Sequence, residues 1–188
     1  MTGTDSNGCI NADEITISVN PLPLVGAGLD QIICFGDATV LEATGAGPDG
    51  IYEWDMDVID GEPFTPDETL TYTVTGTDEF GCTNADLVIV TVSPLPIIDA
   101  GLDFEICIGD EAVLNGAGAG VGGSYTWDGG VVNGVSFSPE ATATYTVIGE
   151  DGLGCIESDE ITVTVNPLPI ILFVGDQLAA CPSLFVTF

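Results

Sequence analysis

The chain has 188 residues, of which 30 are Asp or Glu, and it contains no Lys, Arg or His, so its formal net charge is −30. Binding to nucleic acid is excluded, because that requires cationic side chains to displace counterions, and attraction to an anionic membrane face fails for the same reason. Hydrophobic residues make up 45% and stand in strand-like runs, which argues for a folded chain rather than a disordered one, and no run is long and uninterrupted enough to insert into a membrane.

A fixed interval of 73 residues organises the sequence. Pro-Leu-Pro stands at Pro21–Pro23, Pro94–Pro96 and Pro167–Pro169, and Gly-Cys stands at Gly8–Cys9, Gly81–Cys82 and Gly154–Cys155. Laid over each other without a gap, residues 24–96 and 97–169 are identical at 37 of 73 positions. This is a tandem array. Residues 1–23 carry the end of one unit, 24–96 and 97–169 are complete units, and 170–188 carry the beginning of another. Both ends fall inside a repeat, so the expectation is a segment of a longer chain, with neighbouring repeats of that chain as its first partners.

In chain order, Ile15–Val19 reads as the last strand of the first, incomplete unit: it alternates, is rich in β-branched residues and stops before Pro21. The joint Pro21–Pro23 follows, extended and stiff because each Pro fixes φ and restricts the residue before it. In the first complete unit, strands are predicted at Ala38–Ala43, Ile51–Trp54, Leu70–Val74 and Leu87–Val92, with a hairpin turn at Asp78–Gly81. In the second they fall at Glu111–Gly116, Ser124–Trp127, Ala143–Val147 and Ile161–Val165, with the turn at Asp151–Gly154. The last partial unit continues the aspartate series at Asp176, and its Cys181 falls one residue late against Cys34 and Cys107. No window shows a helical period. Short strands separated by turn signals argue an all-β fold: tandem antiparallel β-sandwiches in an extended string. Trp54, Trp127, Phe64 and Phe137 are predicted core residues. Tyr72 and Tyr145 are expected to pack inward with the hydroxyl bonded to backbone.

A unit of 73 residues is small for a self-sufficient core, so a covalent staple is expected. Each complete unit holds two cysteines, which suggests disulfides of Cys34 with Cys82 and of Cys107 with Cys155 in an oxidising, extracellular setting. Zinc needs clustered ligands, and these cysteines are isolated with no His beside them. The pairing has a geometric condition: it fails if Cys34 and Cys82 stand at opposite ends of the sandwich.

Calcium is the one cofactor the residues suggest. Asp55, Asp57, Asp60 and Glu62 place four carboxylates around a turn, and hard oxygen ligands suit Ca²⁺. In the next unit Asp55 recurs as Asp128, but Asp57, Asp60 and Glu62 become Gly130, Asn133 and Val135. Other acids recur in register, namely Asp5/Asp78/Asp151, Asp13/Asp86/Asp159, Asp30/Asp103 and Asp37/Asp110, mostly beside turns where Asp caps its own backbone. No catalytic residue is expected, since without His or Lys a Ser or Cys nucleophile lacks its usual activating base.

The succession Ala-Gly-x-Asp-x-x-x-Cys-x-Gly-Asp, Tyr-x-Trp, Thr-Tyr-Thr-Val, Asp-x-x-Gly-Cys and Val-Asn-Pro-Leu-Pro resembles the Ig-like, PKD-like repeats of large Bacteroidota cell-surface adhesins, among them gliding-motility adhesins of the SprB type. The resemblance implies type IX export, display at the cell surface and a filamentous adhesive or spacer role, with no catalytic residues to carry over. Two alternatives belong to other classes: Ig-like modules that recognise a glycan or protein, and spacer modules of a secreted enzyme. A stripe of exposed aromatics would favour recognition, but Phe35, Phe80 and Phe104 have no aromatic counterpart in the other complete unit.

Overall fold

The structure, a computed structural model, describes residues 1–171, and Asp176 and Cys181 lie outside them with most of the last partial unit. The chain divides into two compact units, Met1–Leu95 and Pro96–Phe188.

The first unit opens with a small hairpin, β1 (Thr2–Thr4) against β2 (Ile10–Ala12). Then come β3 (Gln31–Cys34), β4 (Thr39–Val40), β5 (Ile51–Trp54), β6 (Pro63–Phe64), β7 (Leu70–Thr77) and β8 (Thr83–Ser93). They form a four-stranded sheet of order β3-β8-β7-β5 and a two-stranded pair β4-β6, with Gly26 bridged to Thr44 beside it. The second unit repeats this with β9 (Phe104–Cys107), β10 (Ala112–Val113), β11 (Ser124–Trp127), β12 (Ser136–Phe137), β13 (Ala143–Glu150) and β14 (Ile156–Asn166). Its sheets are β11-β13-β14-β9 and β10-β12. Each unit is an Ig-like β-sandwich. One pair per unit departs from antiparallel pairing: β3 runs parallel to β8, and β9 parallel to β14.

Alternation builds the core. Along β7, Tyr72, Val74 and Gly76 are buried while Thr71, Thr73 and Thr75 are exposed, as a half-buried strand requires. From the same sheet Val88 and Val90 of β8 and Trp54 of β5 join them, and Leu41 and Ala43 close the cluster from across the sandwich, with Phe64 packed on it. In the second unit Leu114, Trp127, Val147, Ile161 and Val163 repeat the arrangement, with Phe137 packed against it. Phe64 meets Tyr72 edge-on at 5.2 Å and Phe137 meets Tyr145 the same way at 5.2 Å, the geometry that aromatic quadrupoles favour.

Two expected strands differ. Ile15–Val19 forms none, and Ile15, Ile17 and Val19 are 80–90% exposed. The equivalent stretch of β8 is held between β7 and β3, whereas Ile15–Val19 is paired with no strand among the described residues. The ladder expected over Ala38–Ala43 is only Thr39–Val40. Beyond it the backbone is bonded elsewhere, Ala43 N to the Asp60 carboxylate and Thr44 to Gly26.

Candidate functional site

Residues that recur in register are the candidates for a repeated function, and the structure shows what each does. Asp78 holds the β7–β8 turn: its Oδ1 accepts the Phe80 N–H at 2.9 Å and the Cys82 N–H at 2.8 Å. Asp151 does the same for Leu153 and Cys155, and Asp5 for Asn7 and Cys9. The glycine of each Gly-Cys pair closes the turn with positive φ, 83° at Gly8, 78° at Gly81 and 90° at Gly154. Gly therefore precedes Cys because the turn needs a left-handed residue there.

The acidic loop after Trp54 is a structural device as well. Asp60 Oδ1 accepts the Trp54 indole N–H at 2.8 Å and the Ala43 N–H at 2.8 Å. In the second unit Asn133 Oδ1 accepts from Trp127 at 3.0 Å and from the Gly116 N–H at 2.7 Å. Asp55 and Asp128 each accept a backbone N–H of the facing strand, from Thr73 and Thr146, both at 3.0 Å. Met56 and Asp57 have φ of 53° and 60°, and their counterparts Gly129 and Gly130 have 60° and 75°. The left-handed turn explains why Asp57 exchanges with glycine. Glu62 is exposed, as is its counterpart Val135. Among the described residues no group of three or more His, Cys, Asp or Glu side chains is gathered to hold a metal ion. The expected calcium ligands Asp55, Asp57, Asp60 and Glu62 thus do not converge, because the two half-engaged acids point at backbone and indole donors.

Two further pairs tie distant strands. Asp86 Oδ2 accepts the Ala27 N–H at 2.9 Å and Asp159 Oδ2 the Ala100 N–H at 2.8 Å. The Ala27 N–H, and after it the Leu87 N–H, holds the Asp86 carboxyl below the usual aspartate range, and Ala100 with Glu160 does the same for Asp159. Asp30 accepts the Ile89 N–H and Asp103 the Thr162 N–H, at 2.9 and 2.8 Å. In a chain without cationic side chains, backbone N–H groups take the place of cations as partners of the carboxylates.

The tyrosines divide the role expected of one pair. Tyr52 and Tyr125 use the hydroxyl, each accepting a backbone N–H at 2.9 Å, from Ala46 and Ala119. Tyr72 contributes its ring to the core. Its burial, with the nearby charges of Asp55 and Glu68, raises its phenol above the ordinary range.

The cysteines correct the expected pairing. Cys34 and Cys155 are half-cystines, whereas Cys82 and Cys107 are free thiols, as is Cys9. Cys34–Cys82 and Cys107–Cys155 are therefore not the bridges. Cys34 lies opposite Ser93 at the end of β8, and Cys82 directly precedes Thr83 at its start. The strand between has 11 residues, about 33 Å at ~3.3 Å per residue, while bridged cysteines need Cα atoms within about 7 Å. Cys107, opposite Asn166, and Cys155, before Ile156, are separated by the 11 residues of β14 in the same way.

No family model matches the chain, and no curated protein matches it. Solved structures similar to it include tandem immunoglobulin domains. The two-domain DIP-gamma IG1+IG2 structure aligns at 13% identity over 77% of this chain and 98% of that one, with a TM-score of 0.39. The titin I-band fragment I67–I69 aligns at 10% identity over 79% of this chain and 67% of that one, with a TM-score of 0.42. The insect immune protein hemolin aligns at 17% identity over 82% of this chain and 49% of that one, with a TM-score of 0.42. No helix among the described residues is long and apolar enough to cross a membrane.

Proposed function

We propose that the chain is a non-catalytic structural segment, a stalk of Ig-like repeats in a large extracellular protein displayed at the cell surface. One observation carries this reading. Acids that recur at the 73-residue period are bonded to the repeat's own backbone in both units, and where an acid is replaced, as at Asn133, the same bonds persist. What is repeated is framework. A repeated binding chemistry would leave recurrent polar groups unspent and facing solvent together. Half-cystines favour an oxidising, extracellular setting.

The sequence resemblance narrows the proposal to adhesins of Bacteroidota, with type IX export and a role in surface adhesion or gliding motility. On the second reading, the modules bind a glycan or protein ligand. Exposed Phe80, with Leu153 in its place in the second unit, is the feature that favours it. A glycan array and a cell-adhesion assay with the purified chain separate these readings. The stalk reading expects no saturable binding at micromolar concentration, and saturable binding lost on Phe80→Ser would replace it with the second. Spacer modules of a secreted enzyme would share the stalk physics, and the domains joined to these repeats in the full-length protein distinguish that case.

A further inference from the structure

The two complete units share a sheet but give its outward face different chemistry. Alternation turns Tyr72, Val74, Val88 and Val90 into the core, so the residues between them face outward. There Leu87 stands opposite Thr73, Ile89 opposite Thr71, Ile32 opposite Thr91 and Ile51 opposite Thr77. Ile32, Ile51 and Leu87 are 63%, 59% and 57% exposed. Aliphatic side chains and threonine hydroxyls are thus interleaved, and Glu53 is the one carboxylate among the outward residues of β3, β5, β7 and β8. Asp30 and Asp55, beside the two outer strands, are turned to the Ile89 and Thr73 N–H groups. At the same positions 73 residues on, the second unit has Glu105 for Ile32, Ser124 for Ile51, Glu160 for Leu87 and Thr162 for Ile89. Its outward Ile156 stands directly opposite Glu150. The strands and register are the same in both units, so the sandwich folds with either surface, and folding does not require the apolar one.

We propose that this face of the first unit docks on the same face of a second copy of the chain, the two related by a two-fold axis. Charge selects that occupant. The chain carries 30 acidic side chains and no Lys, Arg or His, so a cationic partner is drawn to carboxylates elsewhere and gains nothing from Ile32, Leu87 and Ile89. A polyanion is repelled and finds no cation to hold it. A sugar ring needs an aromatic side chain to stack on, and none of the outward residues is aromatic. A second copy supplies what the face lacks, an apolar surface almost free of charge. It also brings the same right-handed twist, so the two sheets can stack about 10 Å apart with their side chains interleaved. Four strands and the eight residues of β7 give each copy a face of roughly 15 by 25 Å. A pair then buries on the order of 1,000 Å², the size of a weak, transient interface rather than a permanent one.

Sedimentation equilibrium of the full chain tests this, over about 10 μM to about 1 mM protein, where a contact of this size is populated. The parent is expected to dimerise, with a dissociation constant about tenfold or more lower at about 0.5 M than at about 0.02 M NaCl, because salt screens the repulsion between two chains of this charge. Leu87→Glu and Ile32→Glu each install the residue that the second unit carries at that position, so the fold accepts them. Each should abolish dimerisation, and a urea titration of the variant checks that it remains folded. Phe80→Ser, which removes an exposed apolar side chain at the β7–β8 turn, should dimerise as the parent does. A chain that stays monomeric throughout overturns the proposal and leaves the face to an unlike, uncharged partner. Dimerisation retained in folded Leu87→Glu and Ile32→Glu, or lost equally in Phe80→Ser, also overturns it, since the contact then lies on another surface.

Discussion

Asp60 Oδ1 accepts the indole N–H of Trp54 at 2.8 Å and, with the same atom, the N–H of Ala43 at 2.8 Å. One oxygen thereby fixes the largest core side chain and the backbone of the opposing sheet. Asn133 supplies an equivalent oxygen to Trp127 and Gly116, so the carboxylate charge is dispensable. Asp60→Ala should destabilise by about 2–3 kcal/mol, because two buried donors, the Trp54 indole and the Ala43 N–H, lose their acceptor, whereas Asp60→Asn should stay within about 1 kcal/mol of the parent. Urea denaturation followed by Trp fluorescence measures both. Equal losses in the two variants would mean that charge, as in a cation site, matters here after all.

Part of this fold could be read from the chain, and the division has physical causes. Leu70–Val74 and Leu87–Val92 were legible because each alternates over a half-buried face, and period two is visible locally. β3 and β9 were not, since Gln31–Cys34 and Phe104–Cys107 are four-residue strands whose only ladder is a parallel one at a sheet edge. The recurrence of Asp86 and Asp159 marked them as structural. Their partners Ala27 and Ala100 lie 59 residues away, and no local pattern connects positions so far apart. The cysteine period was equally visible, but a period does not say whether the two cysteines of one repeat can meet. That depends on β8 standing as a full-length strand between Cys34 and Cys82.

Gly45 has a φ of 94°, and a Cβ there would fall 1.8 Å from the Leu24 carbonyl oxygen; at Gly118, with φ of 96°, it would fall 1.8 Å from that of Ile97. The obstructing atom is backbone and cannot turn aside. Gly45→Ala should therefore cost more than about 3 kcal/mol, combining left-handed strain with displacement of the arriving chain. Gly47, with φ of 93° and nothing within 4 Å of a Cβ, is the control. Gly47→Ala should cost about 1 kcal/mol from strain alone. Thermal unfolding of the two variants compares them, and similar losses would refute the close approach at Gly45.

The pH dependence follows from Asp86. The Ala27 and Leu87 N–H groups lower its carboxyl in the folded state, so on acidification the unfolded chain takes up the proton first. The stabilisation is complete above the ordinary aspartate value of about 3.9 and is lost as pH falls through the lower folded value. Asp86→Asn removes the titration. The stability difference between parent and Asp86→Asn should be constant from pH 7 to about 5 and shrink below about 4, and Asp159→Asn should behave alike in the second unit. Chemical denaturation across that range checks it. A difference unchanged at pH 3 would detach the Ala27 bond from the ionised carboxylate.

Salt should act on the whole chain in one direction. With 30 acidic side chains and no Lys, Arg or His, almost every long-range pair of charges is repulsive, and folding brings those charges closer together. Self-repulsion of this kind opposes the compact state, and screening weakens it as the Debye length falls from about 20 Å near 0.02 M to about 4 Å at 0.5 M. The melting temperature should therefore climb by several degrees, on the order of 5 °C, between those NaCl concentrations, since ~1 kcal/mol corresponds to about 4–8 °C for a domain of this size. Screening is diffuse, so sodium and potassium should act alike. CaCl₂ at equal ionic strength should add only a gradual increment, without the saturating step of a specific site. Differential scanning calorimetry across the three salts measures this. A melting temperature independent of NaCl would show that the carboxylates lie too far apart to interact, and saturation at sub-millimolar calcium would restore a ligand cluster that Asp55, Asp57, Asp60 and Glu62 do not form in this structure.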